Sequence, residues 1–210
     1  MIKVGIVDDH SIVRSGLKKI LREESDMDVT IEANGHTQLF KSLKVDQPDV
    51  LLLDISIPGK NGLEILKEVK LDYPGIKTLM LSMHPEDRFS VRAIRAGACG
   101  YVTKESAVEE LVQAIRQIHG GGKYITQSVA GMLADSFDTD VEKPLHSRLS
   151  DREFQVLRMI ATGKKTTEIA SELSLSPATV ATYRARVLEK MQLKSNVELT
   201  NYAIRQNLIE

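Results

Sequence analysis

A single cysteine, Cys99, excludes an internal disulfide and reads most simply as a small buried apolar residue. The five histidines, His10, His36, His84, His119 and His146, are too scattered for the paired spacing of a zinc site. With 6 prolines and 13 glycines the chain is not low-complexity, and 42% hydrophobic with 27% charged residues is ordinary for a globular protein. No apolar run approaches the ~20 residues that span a bilayer. The N-terminus enters a strand-like segment, Ile2 to Val7, without a signal-peptide layout. These absences predict a cytoplasmic protein with no membrane partner.

A length of 210 residues suits two compact units better than one. The net charge of −1 conceals a division at Ser147: residues 1–146 carry −4, whereas residues 147–210 carry 10 Lys and Arg against 7 Asp and Glu. A basic C-terminal part points weakly toward a polyanion.

Over the first 120 residues, short β-branched runs alternate with longer segments of helical period, the pattern of βα units around a parallel sheet. Strands are predicted at Lys3–Val7, Val29–Ala33, Val50–Leu53, Lys77–Leu81 and Gly100–Thr103. Helices fit at Ser11–Glu24, Thr37–Val45, Gly62–Tyr73, Phe89–Ala96 and Val108–His119, giving a doubly wound five-stranded α/β domain. Gly120-Gly121-Gly122 ends the pattern, and residues 121–146 read as a linker with one short helix, Gln127–Ala134. Residues 147–210 show only helix signals: a capping box from Ser150 to Glu153, and Ser176 before Pro177. Four helices are expected there, Asp151–Ala161, Thr167–Leu173, Pro177–Met191 and Val197–Gln206.

Doubly wound sheets carry their reactive groups at the carboxyl ends of the strands. Asp8 and Asp9 follow the first strand, Asp54 the third, Ser82 the fourth and Lys104 the fifth. Clustered carboxylates repel unless a cation joins them, and Mg²⁺ is the natural one because it takes a few carboxylates, water and phosphate oxygen. A lysine and a hydroxyl opposite them would neutralise a transferred phosphoryl group, with Asp54 as nucleophile. Taken singly, Asp8, Asp9 and Ser82 fit helix caps and Lys104 a solvated charge; five strand-end placements together favour the phosphoryl site.

Four segments, KVGIVDDHS (Lys3–Ser11), LLLDISIPG (Leu51–Gly59), TLMLSMH (Thr78–His84) and AGACGYVTK (Ala96–Lys104), resemble the receiver domain of two-component response regulators. The resemblance implies that Asp54 is the phospho-acceptor. It implies that Asp9, Asp54 and the Ser56 carbonyl hold Mg²⁺, with Asp8 acting through water. Ser82 and Lys104 become the switch hydroxyl and the phosphate-binding lysine. Tyr101 matches the switch aromatic, and fits a packed sheet-edge aromatic equally well.

Ser174-Leu175-Ser176 is the three-residue turn of a helix-turn-helix, which makes Pro177–Met191 the groove-entering helix. Val180, Val187 and Met191 form its apolar stripe, leaving Thr182, Ala185 and Arg186 outward, flanked by Ala181 and Lys190. Arg186 can pair with guanine or hold phosphate; Ala and Thr can touch a thymine methyl. Lys164, Lys165, Arg184 and Lys190 suit phosphate contacts, and Thr179 completes the expected DNA-facing set. Gly163-Lys164-Lys165-Thr166 is no nucleotide loop, because Arg158 stands where that motif needs its first glycine.

The segments LSDREFQVL (Leu149–Leu157), GKKTTEIA (Gly163–Ala170) and LSPATVATYRARV (Leu175–Val187) resemble the LuxR-type helix-turn-helix. With the receiver, they make the chain similar to the NarL/FixJ subfamily. It departs from that pattern at Thr166, Ala181 and Tyr183, so no relative's operator sequence carries over. The resemblance implies a sensor histidine kinase, double-stranded DNA and a homodimer when phosphorylated as partners. Phosphorylation is expected to bias the surface of residues 89–119, which controls either receiver dimerisation or release of the DNA-binding domain, and the last helix is expected to pair two copies on DNA. A phosphate-insensitive receiver remains an alternative, as does an enzyme. The second has little room, because the C-terminal ~60 residues hold no nucleophile–base pair or metal cluster.

Overall fold

Every residue of the run Val50–Asp54 (VLLLD) is buried, the mark of a strand covered on both faces in a parallel sheet. The computed structural model describes residues 1–83, 88–104, 108–135, 144–206 and 208–209. His84 of the Thr78–His84 motif, residues 105–107 of the expected switch surface, and linker residues 136–143 lie outside that set. The described chain divides into two compact units, Met1–Phe137 and Asp138–Glu210.

In the first unit β1 (Ile2–Val7), β2 (Met27–Ala33), β3 (Val50–Asp54), β4 (Lys77–Ser82) and β5 (Gly100–Thr103) form one parallel sheet ordered β2-β1-β3-β4-β5. Between and after them run α1 (Ser11–Glu23), α2 (His36–Leu43), α3 (Gly62–Asp72), α4 (Arg88–Arg95) and α5 (Val108–His119). The strand order reverses at β1 and β3, and a doubly wound sheet opens its ligand crevice at such a point. Leu21, Val112, Ile115 and Ile118 pack with Val4, Ile6, Leu52, Leu79 and Val102 into an apolar core.

Two predicted strand ends need correction. Asp54 pairs with Leu81, and Ser82 with Thr103, so both residues belong to the ladder rather than following it. The remaining element boundaries lie within two residues of expectation.

The chain turns off β3 by a device written into its sequence. Asn61 Oδ1 accepts from Leu63 N at 2.8 Å, and Asn61 N donates to Glu64 Oε2 at 3.2 Å, a capping box that starts α3. Gly62 lies where a Cβ would come within 2.1 Å of the Asp54 carbonyl oxygen, so only glycine lets α3 begin this close to the strand end.

After α5 the chain stays on the first unit: Gly100 bridges Tyr124, and Val129 of α6 (Gln127–Asp135) is buried. The apolar side of α6 explains why this part of the expected linker packs rather than spans.

The first described element of the second unit is a 3-10 turn, Leu145–Arg148, absent from the expected elements. There the His146 Nδ1 lies 2.8 Å from the Tyr202 hydroxyl. Then follow α7 (Asp151–Ala161), α8 (Thr166–Glu172), α9 (Pro177–Met191) and α10 (Asn196–Arg205). Ser150 and Glu153 cap α7 reciprocally, and Ser176 Oγ accepts from Thr179 N at 3.0 Å to start α9 at Pro177. Phe154, Leu157, Ile169, Val180, Val187, Met191 and Leu199 are buried, so the stripe predicted for α9 is the one that faces the core.

Candidate functional site

The ladder register sets Val7 beside Leu53 and Ser82 beside Thr103, which brings Asp8, Asp54, Ser82 and Lys104 to one end of the sheet. Asp8, Asp54 and Ser82 are buried. Lys104 Nζ lies 2.8 Å from Asp54 Oδ2 and 2.6 Å from Asp8 Oδ2, with only 7% of its side chain exposed. Ser56 N donates to Asp54 Oδ1 at 3.1 Å, so each Asp54 oxygen has one partner. Burial pushes the Asp54 carboxyl up from its ordinary range despite the opposing Lys104 charge. The same burial would lower Lys104, but Asp54 and Asp8 outweigh it and hold the ammonium above the usual lysine value.

The donor set fits a hard divalent cation. Asp8, Asp9, His10 and Asp54 each offer a ligand atom, all within 4.8 Å of one another. Asp8 Oδ2 and Asp9 Oδ1 are buried atoms that accept no well-aligned hydrogen bond, the first facing Lys104 Nζ at 2.6 Å and the second His10 Nδ1 at 3.0 Å. Carboxylate oxygens so left are what Mg²⁺ takes up.

Tyr101 is only 1% exposed, its ring packed against the unit from β5, the edge strand of the sheet, a placement that fits both readings of it. In the second unit Ala181, Thr182, Ala185 and Arg186 are exposed along α9. Several expected phosphate cations already have protein partners. Lys164 Nζ pairs with Glu172 at 2.5 Å, Arg184 Nε with Asn196 Oδ1 at 2.6 Å and Lys190 Nζ with Glu153 Oε2 at 2.7 Å. Thr179 sits half-buried with its hydroxyl 2.8 Å from Ser176 Oγ, in the cap of α9, while Lys165 is exposed.

Residues 4–116 match the model of the response regulator receiver domain, and residues 147–203 that of the bacterial regulatory proteins of the luxR family. The chain belongs to the NarL/FixJ response regulators. This response regulator is 39% identical over 211 residues to the response regulator GacA of Pseudomonas aeruginosa, covering all of this chain and 99% of that protein. It is 37% identical over 209 residues to UvrY of Escherichia coli, covering 99% and 96%. Among solved structures, a complex of the response regulator RcsB with DNA is similar at 29% identity and TM-score 0.61, covering 97% of this chain and 98% of that one. Its receiver and LuxR-type domains make the protein a regulator of transcription.

Sequence reasoning passed over three groups around the pocket of this response regulator. His10 Nδ1 lies 3.0 Å from Asp9 Oδ1, and its main-chain N–H donates to Asp8 Oδ1 at 2.8 Å; its place directly after the acidic pair was the available signal. Arg14, one turn into α1, donates to the Asp8 carbonyl at 2.5 Å. Glu68 of α3 pairs with His36 at 2.7 Å and with Lys60, tying the β3–α3 loop to the start of α2. No short-range pattern announces that contact, because its members come from three elements.

Proposed function

We propose that Asp54 accepts a phosphoryl group from a sensor histidine kinase and that its charge controls how residues 147–210 bind DNA. The observation that carries the reading is the buried Asp54 carboxylate flanked by Lys104 at 2.8 Å. An Asp54 oxygen attacks the donor phosphorus; the bond from phosphorus to the leaving group breaks, and the leaving group departs with the electron pair. Burial, which raises the basicity of Asp54, favours that attack.

Lys104 takes up charge on the transferred oxygens, and Ser82 offers a hydroxyl from the end of the adjacent strand. Asp9, Asp54 and the Ser56 carbonyl would hold Mg²⁺, with Asp8 acting through water; when bound, the ion neutralises carboxylates and phosphoryl oxygens.

An added charge of about −1.5 to −2, as for a phosphate ester, biases two existing arrangements rather than creating a third. In this reading Ser82 and Tyr101 report the charge to the surface of residues 89–119, the segment from the end of α6 to residue 146 links the halves, and two copies pair on DNA through α10. Exposed Val197 and Ile204 on α10 support that pairing. The chain then works in the cytoplasm; among the described residues no helix is long and apolar enough to cross a membrane. Its chemistry is limited to taking up and losing the phosphoryl group at Asp54.

Incubating the full chain with Mg²⁺ and a small acyl phosphate should add one phosphoryl group to wild type and none to Asp54→Asn, read by intact mass. An unmodified wild type would contradict the proposal.

A further inference from the structure

The outward side of α9 carries an unusual set of groups for a helix that enters a DNA groove. Along it Ala181, Thr182, Ala185 and Arg186 are exposed, and three of the four end in methyl groups. Thr182 has a hydroxyl that could read a base edge, but that hydroxyl donates to the Ala178 carbonyl at 3.0 Å, back into its own helix. With the hydroxyl engaged in this way, Thr182 offers its methyl to the groove. Neither Asn nor Gln occurs anywhere in α9, so the bidentate adenine contact has no donor there.

The cations along α9 divide just as sharply. Arg184 is held by Asn196 and Lys190 by Glu153, the same carboxylate that caps α7. Arg186 has no hydrogen-bond or ion-pair partner among the described residues, so its guanidinium is the one on α9 ready for a fresh bidentate contact.

We infer that this protein reads its operator chiefly through thymine methyl groups packed against Ala181, Ala185 and the Thr182 methyl, with Arg186 supplying a single guanine contact. The inference rests on the reading of α9 as the groove-entering helix. The major groove exposes the thymine C5-methyl as a distinct apolar feature, and guanine N7 and O6 as the pair that a guanidinium spans. A surface of methyls and one arginine matches those two features.

The test begins with a duplex selected from random DNA by the full-length protein treated with a small acyl phosphate. Uracil is then substituted for thymine one position at a time, and 7-deazaguanine for guanine. Each methyl packed against α9 should cost about fourfold in affinity when removed, the worth of one buried methyl-sized group. One guanine per half-site should show a larger loss on 7-deaza substitution, and that loss should vanish in Arg186→Ala.

The two Thr182 variants decide the part assigned to the methyl. Thr182→Val keeps the methyl and should bind within about twofold of wild type. Thr182→Ser keeps the hydroxyl and should lose affinity and the uracil penalty at one position. Because residue 182 is exposed, both variants should keep the wild-type melting temperature, which is measured alongside. Uniform tolerance of uracil, or tight binding by Thr182→Ser with loss in Thr182→Val, would overturn the inference. Failure to select any duplex would count against DNA binding through α9 itself, a separate outcome.

Discussion

Lys104→Met is expected to destabilise the receiver unit by about 3–5 kcal/mol near neutral pH when no divalent cation is present, the usual cost of leaving a buried charge without its partner. Lys104 Nζ touches both Asp8 and Asp54, which are buried, and the substitution leaves two carboxylates facing each other. The pH dependence has a defined sign. Asp54 in the folded protein holds its proton more tightly than a free carboxylate, so the folded state gains relative stability at low pH. That advantage is complete below the ordinary carboxylate range and is lost as pH rises through the raised folded value.

Without Lys104 the opposing charge disappears and the folded value rises further. The variant should therefore lose stability with rising pH over a wider window than wild type. Lys104 adds a contribution of the same sign at higher pH, stabilising wild type below the ordinary lysine range and ceasing to do so as pH climbs through its raised folded value. Added Mg²⁺ should recover a large part of the loss at pH 8 and little at pH 5. Urea unfolding at both values, with and without Mg²⁺, would show this; equal stability of variant and wild type under all four conditions would refute the role given to Lys104.

Gly62→Ala should have an effect of similar size by a different route. The new Cβ would lie 2.1 Å from the Asp54 carbonyl oxygen and 2.8 Å from the Ile55 Cα, and both are backbone atoms that cannot swing aside. Overpacking costs about 1–3 kcal/mol where side chains can adjust, and here the end of β3 must move instead, so the upper end or beyond is expected. A shift of about 1 Å at Asp54 would also cost on the order of a hundredfold in phosphoryl uptake. Gly16→Ala is the control, because nothing lies within 4 Å of the methyl it would add on α1. Thermal unfolding and the rate of phosphoryl uptake measured on both variants should separate them; wild-type behaviour in Gly62→Ala would contradict the account.

The central strands could be read from sequence because each is a short, mostly apolar run buried along nearly its whole length, as Val50–Leu53 illustrates. α9 could be read because Val180, Val187 and Met191 repeat at helical spacing under a clear start at Ser176-Pro177. The acidic pocket was legible for a topological reason. Strand ends of a doubly wound sheet converge, so Asp8, Asp54, Ser82 and Lys104 could be gathered before any distance was known.

What remained hidden depends on distances between elements. The strand ends of β3 and β4 were each placed one residue short, since ladder pairing of Asp54 with Leu81 and Ser82 with Thr103 leaves no local mark. The partners of Lys164, Arg184 and Lys190 were invisible for the same reason. A lone lysine on a helix looks solvated until the carboxylate of another helix is placed beside it. The packing of Tyr124 and Val129 on the first unit was concealed by the glycines at 120–122, which resemble the start of a free linker.

The central claim is that charge at Asp54 governs DNA binding by residues 147–210. Its most direct test is the affinity of the full-length protein for its selected duplex, measured with and without a small acyl phosphate and Mg²⁺, in wild type and Asp54→Asn. The account predicts that the phosphodonor changes wild-type affinity at least severalfold and leaves Asp54→Asn unmoved. Equal affinity of wild type in both conditions, or an equal response in Asp54→Asn, would contradict it.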